Sequence, residues 1–376
     1  MAAEPKTYTR RCRAAMAEAV RSAKVDALLI TRPADVTYLC GFSGEDSFLL
    51  LLPGRDFACL ITDPRFAEEA RRQCPSIDRH VRSGPMPQAV AAVLAGRRVR
   101  RLGVQAAAMS VALHDALAKT LKGIHVQAMK EILLHLRAVK DAGEVAGIAR
   151  AVRVAERAFR QLIAGGAKAL LGRTEDDLAA ELDWRMRRAG AESPAFDTVV
   201  AVGPHSALPH HRPTKAKVRA GQPLLIDWGA WAGGFSSDLT RVVFPGRIPA
   251  DLLGAYQVVR RAQRAGMAEL AAGAKAADAD RAARTVIAEA GYGECFIHGL
   301  GHGLGRGRGN TDVHEWPSLS RLSTETLRAG MVVTVEPGIY LPGVGGIRIE
   351  DDVLITAGGC RKLSTLPTAA EAMVLR

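Results

Sequence analysis

The segment 224–241, LLIDWGAWAGGFSSDLTR, limits the fold more than any other stretch, because it sets two acids at the ends of apolar runs. Asp227 closes a run with the character of a buried strand. Asp238 opens a second run, 239–244, after a turn that contains Gly233 and Gly234. The two runs predict a β-hairpin. With its turn centred between Ala232 and Gly233, Asp227 and Asp238 are cross-strand partners on one face, roughly 5 Å apart at Cβ. Carboxylates that close repel unless a proton, a basic partner or a cation accompanies them. The plainer alternative makes both acids turn or cap residues on a solvated edge.

A chain of 376 residues, 48% hydrophobic and 24% charged, has the profile of a soluble globular protein with length for two domains. The apolar stretch 48–53 is too short to cross a bilayer, and residues 1–16 lack the apolar core of a signal peptide. The expectation is a cytoplasmic protein with no membrane partner. Six cysteines are scattered without a CxxC, which excludes a zinc knuckle or a disulfide frame and fits reduced packing thiols. The net charge of +12 comes from arginines at helical spacing, such as Arg150, Arg153, Arg157 and Arg160, and aromatics make up only 5% of the chain. That pattern describes solvated helix faces and predicts no nucleic-acid partner.

Residues 1–128 read as one α/β unit, an open sheet flanked by helices. Helical spacing covers 7–23, 64–73, 88–94 and 110–121. β-rich runs cover 25–31, 48–52, 57–62 and 101–104, and 122–126 reads as a connection. Long helical sequence follows over 130–164, broken near 141–143. Thr174, with Asp177 three residues on, opens another helix over 174–189. From Phe196 the pattern changes to short strands separated by glycine, proline and histidine. A boundary at 128 divides the chain into domains 1–128 and 129–376, and every chemically interesting residue falls in the second.

Four further groups lie there. GPHSALPHH carries His205, His210 and His211 on a loop before the strand of Asp227. FIHGLGHGLG carries His298 and His302 four apart, but its glycines and the lack of a glutamate after His298 exclude a zincin helix. Glycine beside histidine suits a strand or loop close to other backbone, with one imidazole ligating and one supporting it. The same glycines resemble a phosphate-cradling loop, although no ribose acid follows at the expected distance, and the single RGRG at 306–309 resembles an RNA-binding tract but is too little to bind strands by itself. VTVEPGIY and GGIRIEDD complete the set. A hairpin centred near Gly343 puts Glu336 and Glu350 on one face. Four acidic donors and one imidazole have the make-up of a two-cation site, and their oxygen-rich chemistry favours manganese or similar hard ions.

In this order, Asp227 and Asp238, His302 in HGLGH, Glu336 in EPG and Glu350 in RIED resemble the metallopeptidase family of aminopeptidase P, prolidase and methionine aminopeptidase. GFSGEDSFLLLL and ITDPRF are similar to the creatinase-type N-terminal domain of aminopeptidase P and prolidase. The resemblance implies an α+β architecture, a pita-bread catalytic domain preceded by an α/β creatinase-like N-terminal domain. It implies two divalent metal ions, Mn2+ first and Co2+ or Zn2+ next. Asp227 would bind one, Asp238 and Glu350 would bridge both, and His302 with Glu336 would complete the second. A hydroxide held between the metals would attack the scissile carbonyl, with Glu336 as acid/base. His210 and His314 would contact the substrate and the developing oxyanion, with His298, Arg348 and Tyr340 in support.

The implied activity is that of an Xaa-Pro aminopeptidase acting on short proline-containing peptides, with a prolidase restricted to Xaa-Pro dipeptides as the alternative. A metal-free creatinase-type hydrolase and a non-catalytic pita-bread binding module are further alternatives, set against five filled ligand positions. The family's habit implies a homodimer. One departure stands out: the segment between His302 and His314 is five residues longer than in the family. Arg306 and Arg308 within it are expected on a rim loop, where they would favour short or carboxylate-bearing substrates.

Overall fold

The computed structural model describes residues 5–53, 57–130 and 132–376, and the chain divides into two compact units between Arg137 and Ala138. The first unit holds helices α1 (Pro5–Ala23), α2 (Pro33–Cys40), α3 (Ala67–Gln73), α4 (Met86–Leu94) and α5 (Val111–Thr120). Its strands are β1 (Ala27–Ile30), β2 (Phe48–Leu52), β3 (Phe57–Thr62), β4 (Asp78–Val81), β5 (Arg101–Gln105) and β6 (His125–Met129). They form one sheet in the order β4-β3-β2-β1-β5-β6. The run ALLI of β1 is buried throughout, with Leu28 and Ile30 in one apolar cluster and Ala27 and Leu29 in another. Alternate side chains therefore feed cores on both faces, which is why this strand reads as continuous apolar sequence.

The sequence does not anticipate α2 or β4, and it takes β6 for a connection. As an edge strand, β6 buries only Val126 and Met129, so its pattern is half polar, yet it pairs in parallel with β5 from Arg101 to Gln105. The boundary expected at 128 thus falls inside a strand of the first sheet. The chain stays with the first unit as far as Arg137, whose Nη1 donates to Asp35 Oδ1 at 2.8 Å.

After α6 (Leu134–Ala138), the second unit begins its long helix α7 (Ala142–Ile163) with a capping box between Asp141 and Glu144. It continues through α8 (Glu175–Arg188), β7 (Ser193–Pro194), β8 (Val199–Val202), β9 (Leu224–Trp228), β10 (Ala230–Ala232), β11 (Phe235–Ser236) and β12 (Leu239–Pro245). Helices α9 (Ala250–Ala268) and α10 (Ala276–Glu289) precede β13 (Gly301–Gly303), β14 (Glu315–Leu319), β15 (Val332–Val335), β16 (Gly338–Leu341), β17 (Gly345–Arg348), β18 (Asp351–Thr356), β19 (Gly359–Lys362) and β20 (Val374–Leu375). The larger sheets run β20-β12-β9-β8 and β14-β13-β15-β18-β19. Trp228 on β9 stacks on Phe159 of α7 with centroids 4.5 Å apart, and its Nε1 donates to Ala155 O at 3.0 Å. That anchor fixes the strand carrying Asp227. No described helix is long and apolar enough to cross a membrane.

Two hairpins set the acids. In the first, Trp231 faces Ser236 and Asp227 faces Thr240, not Asp238. The turn is centred one residue later than expected because Gly233 and Gly234 both adopt positive φ, 62° and 77°, the geometry of a two-residue hairpin turn. A partner shifted by two residues keeps its face, so Asp227 and Asp238 remain on one side as diagonal neighbours. In the second, Gly338 faces Arg348 and Val335 faces Asp351. The register that both ladders share sets Glu336 opposite Glu350 across a turn centred on Gly343, as the sequence predicts.

Candidate active site

β13 slots between β14 and β15 and presents His302 to the acids. The slot needs glycine: a Cβ at Gly301 would lie 2.1 Å from Thr334 O, and one at Gly303 would lie 2.2 Å from Trp316 O. His302 gives its Nδ1 proton to Gly303 O at 2.9 Å, so Nε2 keeps its lone pair. That nitrogen lies 3.6 Å from Asp238 Oδ2 and 3.6 Å from Glu336 Oε1. Asp238, His302 and Glu350 offer ligand atoms within 4.8 Å of one another.

Asp227 joins this group through Arg348, whose Nη2 donates to its Oδ2 at 2.6 Å. The same guanidinium donates through Nη1 to Tyr340 OH at 2.8 Å and through Nε to Thr240 Oγ1 at 3.0 Å. The Thr240 hydroxyl in turn donates to Glu350 Oε2 at 2.6 Å. Tyr340 OH pairs with His298 Nε2 at 2.8 Å, and His298 Nδ1 donates to Gly299 O. Thr334 donates to Glu336 Oε1 at 3.4 Å and accepts the His302 N–H at 3.1 Å. Thr240 and Thr334 went unnoticed in the sequence. Their only signal is position, one strand step from an acid on the same face.

The electrostatics are strained in one direction. Four carboxylates face one guanidinium, so three would be left without a counter-charge if all were ionised. Burial, then Glu350 and Asp227, holds the Asp238 carboxyl well above the usual range. Burial, then Glu336 and Asp227, does the same to Glu350. Burial pushes Glu336 up to about 8 against the pull of Arg348. Burial also pushes His302 down to about 3 and His298 down to about 4, so both imidazoles are neutral. Asp227 Oδ1 is buried and finds no hydrogen-bond partner among the described residues. Neutral imidazole nitrogen, excess carboxylate charge and an orphaned carboxylate oxygen all fit divalent cations.

The sequence profile of Metallopeptidase family M24 matches residues 146–357, more than half of the chain, and that of the Creatinase/Prolidase N-terminal domain matches residues 10–139. The chain belongs to metallopeptidase family M24. An Xaa-Pro dipeptidase of Pyrococcus horikoshii is 31% identical over 340 residues, covering 90% of this chain and 93% of its own. The structure of an Xaa-Pro dipeptidase from Bacillus anthracis superposes with a TM-score of 0.91 at 31% identity, covering 99% of this chain and all of its own. An X-Pro aminopeptidase from Thermotoga maritima superposes with a TM-score of 0.85 at 33% identity, covering 93% and 98%. The fold is accordingly an M24 pita-bread domain behind a creatinase-like N-terminal domain.

Within this M24 domain the three histidines of GPHSALPHH part company. His205 and His211 face the buried Glu175, each at 2.8 Å. His210 is exposed, near enough to His298 and His314 that a positive charge on it would push both down. His314 lies beside His302 with ring centroids 4.1 Å apart, so the longer segment before it still leaves it next to the candidate ligand. The segment is held locally: the register shifts between His302 and Gly303, and Glu315 Oε1 accepts the N–H groups of Arg306 and Gly307. Arg306 does not sit on a rim. Its guanidinium covers the Phe235 ring at 4.1 Å and pairs with Glu144 at 3.3 Å, while Arg308 is exposed.

Proposed function

We propose that this chain is a metal-dependent Xaa-Pro dipeptidase holding two divalent cations. The observation that carries the reading is the convergence of four acids and one neutral imidazole around a single guanidinium, with Asp227 Oδ1 left unpartnered. Asp227, Asp238, His302, Glu336 and Glu350 would hold the cations, with manganese the first candidate for so many carboxylate oxygens. Bound there, the cations supply Lewis acidity and make water acidic enough to attack a peptide carbonyl near neutral pH.

The remaining steps belong to side chains. Glu336 accepts the proton released by the attacking water and returns it to the leaving proline nitrogen. His210 and His314 contact the substrate and the developing oxyanion. Arg348, tied to Asp227, Tyr340 and Thr240, holds three of these groups in one geometry, and Tyr340 fixes His298. Proline lacks an amide N–H, so a pocket shaped to its ring can select it where binding through that N–H would fail.

The motifs alone lead to an Xaa-Pro aminopeptidase. The relatives named as Xaa-Pro dipeptidases shift the weight to dipeptides, and the Thermotoga maritima structure keeps the aminopeptidase as the second reading. Comparing kcat/KM for Xaa-Pro and Xaa-Pro-Yaa on manganese-loaded protein decides between them. A dipeptide preference of about tenfold or more, roughly 1.4 kcal/mol, is the expected result. A preference for the longer peptide returns the reading to the aminopeptidase. Absence of both hydrolysis and bound metal would overturn the enzyme altogether.

Metal binding is expected to depend on pH. The carboxyls of Asp238, Glu336 and Glu350 are all raised by burial. Raised carboxyls add stability to the metal-free fold below their unfolded values, and that stability is lost as pH climbs through the folded ones. For Glu336 the window runs from about 4.3 in the unfolded chain up to about 8 in the fold. Cations displace these protons, so their stabilising effect grows across the same window. The rise in Tm on adding manganese should therefore increase steadily from pH ~5 to pH ~8. An increment that stays constant across that range contradicts the assignment.

A further inference from the structure

Glu175, the first residue of α8, is fully buried and belongs to none of the groups just described. Its Oε1 accepts the Val202 N–H at 2.8 Å and faces His205 Nδ1 at 2.8 Å. Its Oε2 accepts the Thr214 N–H at 2.9 Å and the Thr214 hydroxyl at 2.7 Å, and faces His211 Nε2 at 2.8 Å. Burial alone would raise this carboxyl, but the hydrogen bonds from Thr214, His211, Val202 and His205 hold it below the usual range. The grouping of Glu175, His205 and His211 has metal-ligand chemistry. Both oxygens are nevertheless saturated, two of the donors being main-chain N–H groups that a cation would have to displace.

A single carboxylate therefore closes both ends of the loop 202–214. The first half of that loop is docked on β17, where Ser206 Oγ accepts the Gly346 N–H at 2.8 Å and donates to Gly203 O at 2.6 Å. The second half carries His210, exposed and near enough to His298 and His314 that a positive charge on it would push both imidazoles down. The His205 and His211 rings pack together with centroids 4.5 Å apart and flank this half of the loop in sequence. Among the described residues the His210 side chain makes no hydrogen bond or ion pair, while the main chain around it is held by the Val202 and Thr214 N–H groups on Glu175 and by the His211 N–H on Leu208 O at 3.2 Å.

We propose that Glu175, acting with His205 and His211, is a positioning residue for His210: it clasps the loop so that the imidazole stands ready at the mouth of the site. The inference rests on the assignment of His210 as a substrate contact. A loop of this length left to itself samples many geometries, and an imprecisely held catalytic group loses rate more than binding.

A double-mutant cycle in kcat on the manganese-loaded full chain tests it, with Glu175→Gln, His205→Gln and His210→Ala made singly and in pairs. Glu175→Gln keeps the shape but turns an acceptor into a donor facing donors. It is expected to lower kcat about tenfold, and the more exposed His205→Gln about threefold, with KM and metal content little changed. In the His210→Ala background the same changes should cost less than about twofold, because the residue they position is gone. Equal fold losses in both backgrounds, or no loss from either variant, overturn the clasp. Unchanged kcat in His210→Ala itself overturns the role of His210, and the clasp with it. If Glu175→Gln does not fold, the cycle with His205→Gln carries the decision.

Discussion

With Asp238 replaced by alanine and manganese in excess, hydrolysis of an Xaa-Pro dipeptide is expected to fall by roughly a thousandfold or more. Asp238 lies 3.6 Å from the lone-pair nitrogen of His302 and within 4.8 Å of a Glu350 oxygen, at the centre of the acids. Removing it takes one charge and one donor from the cation site, and metal ions contribute several kcal/mol of charge stabilisation at about 1.4 kcal/mol per tenfold. Stability should move the other way. The Asp238 carboxyl is buried among Glu350, Asp227, Asp352 and Glu336, so its loss relieves repulsion in the metal-free fold. Three measurements check this together: kcat/KM, metal content per chain, and Tm in chelator. Undiminished turnover, or a collapse of Tm without any loss of metal, would show that Asp238 serves the fold and not the reaction.

The largest effect on stability is expected from Arg241→Met, even though this side chain touches no substrate. Arg241 is completely buried and uses every nitrogen. Nε donates to Pro367 O at 3.1 Å, Nη1 to Thr240 O at 2.9 Å and Glu350 O at 2.6 Å, and Nη2 to Asp351 Oδ1 at 2.7 Å and Leu366 O at 3.1 Å. Methionine fills much of the volume but strands the carbonyls of Pro367, Glu350 and Leu366 and part of the charge of Asp351, which keeps Lys362, Ser364 and Gln263; Thr240 O keeps the Glu350 N–H. Breaking a buried pair on one side costs about 3–5 kcal/mol, which for a unit of this size is a fall in Tm of roughly 10 °C. Thermal unfolding with metal bound reads this directly. A shift under about 2 °C would mean that the carbonyls find water instead. Arg241 also ties the main chain of Thr240 to that of Glu350, so activity below the new Tm should fall along with stability.

Much of the site was legible because strands have a period of two and turns have a chemistry. Glu336 and Glu350 could be paired from an apolar run, an alternating run and the glycine at 343, and the shared register of β15–β18 and β16–β17 sets them opposite each other. The first hairpin was legible as to face but not partner, since only the conformation of Gly233 and Gly234 decided where the turn was centred. The glycines around His302 announced close backbone contact before the neighbours of β13 were known. The edge strand β6 was hidden by a half-polar pattern that a connection shares.

Taken alone, the sequence singled out the candidates for the chemistry: four acids and a histidine in a fixed order, placed at the ends of apolar strands. The tertiary structure decided which neutral groups serve them. Thr240 and Thr334 became part of the site, Arg306 became packing against Phe235, and of the three histidines of one loop two turned to Glu175. The reason is physical. Period, apolarity and turn chemistry are local and can be read along the chain, whereas a buried carboxylate takes its hydrogen-bond partners from whatever long-range strand pairing brings within about 3 Å.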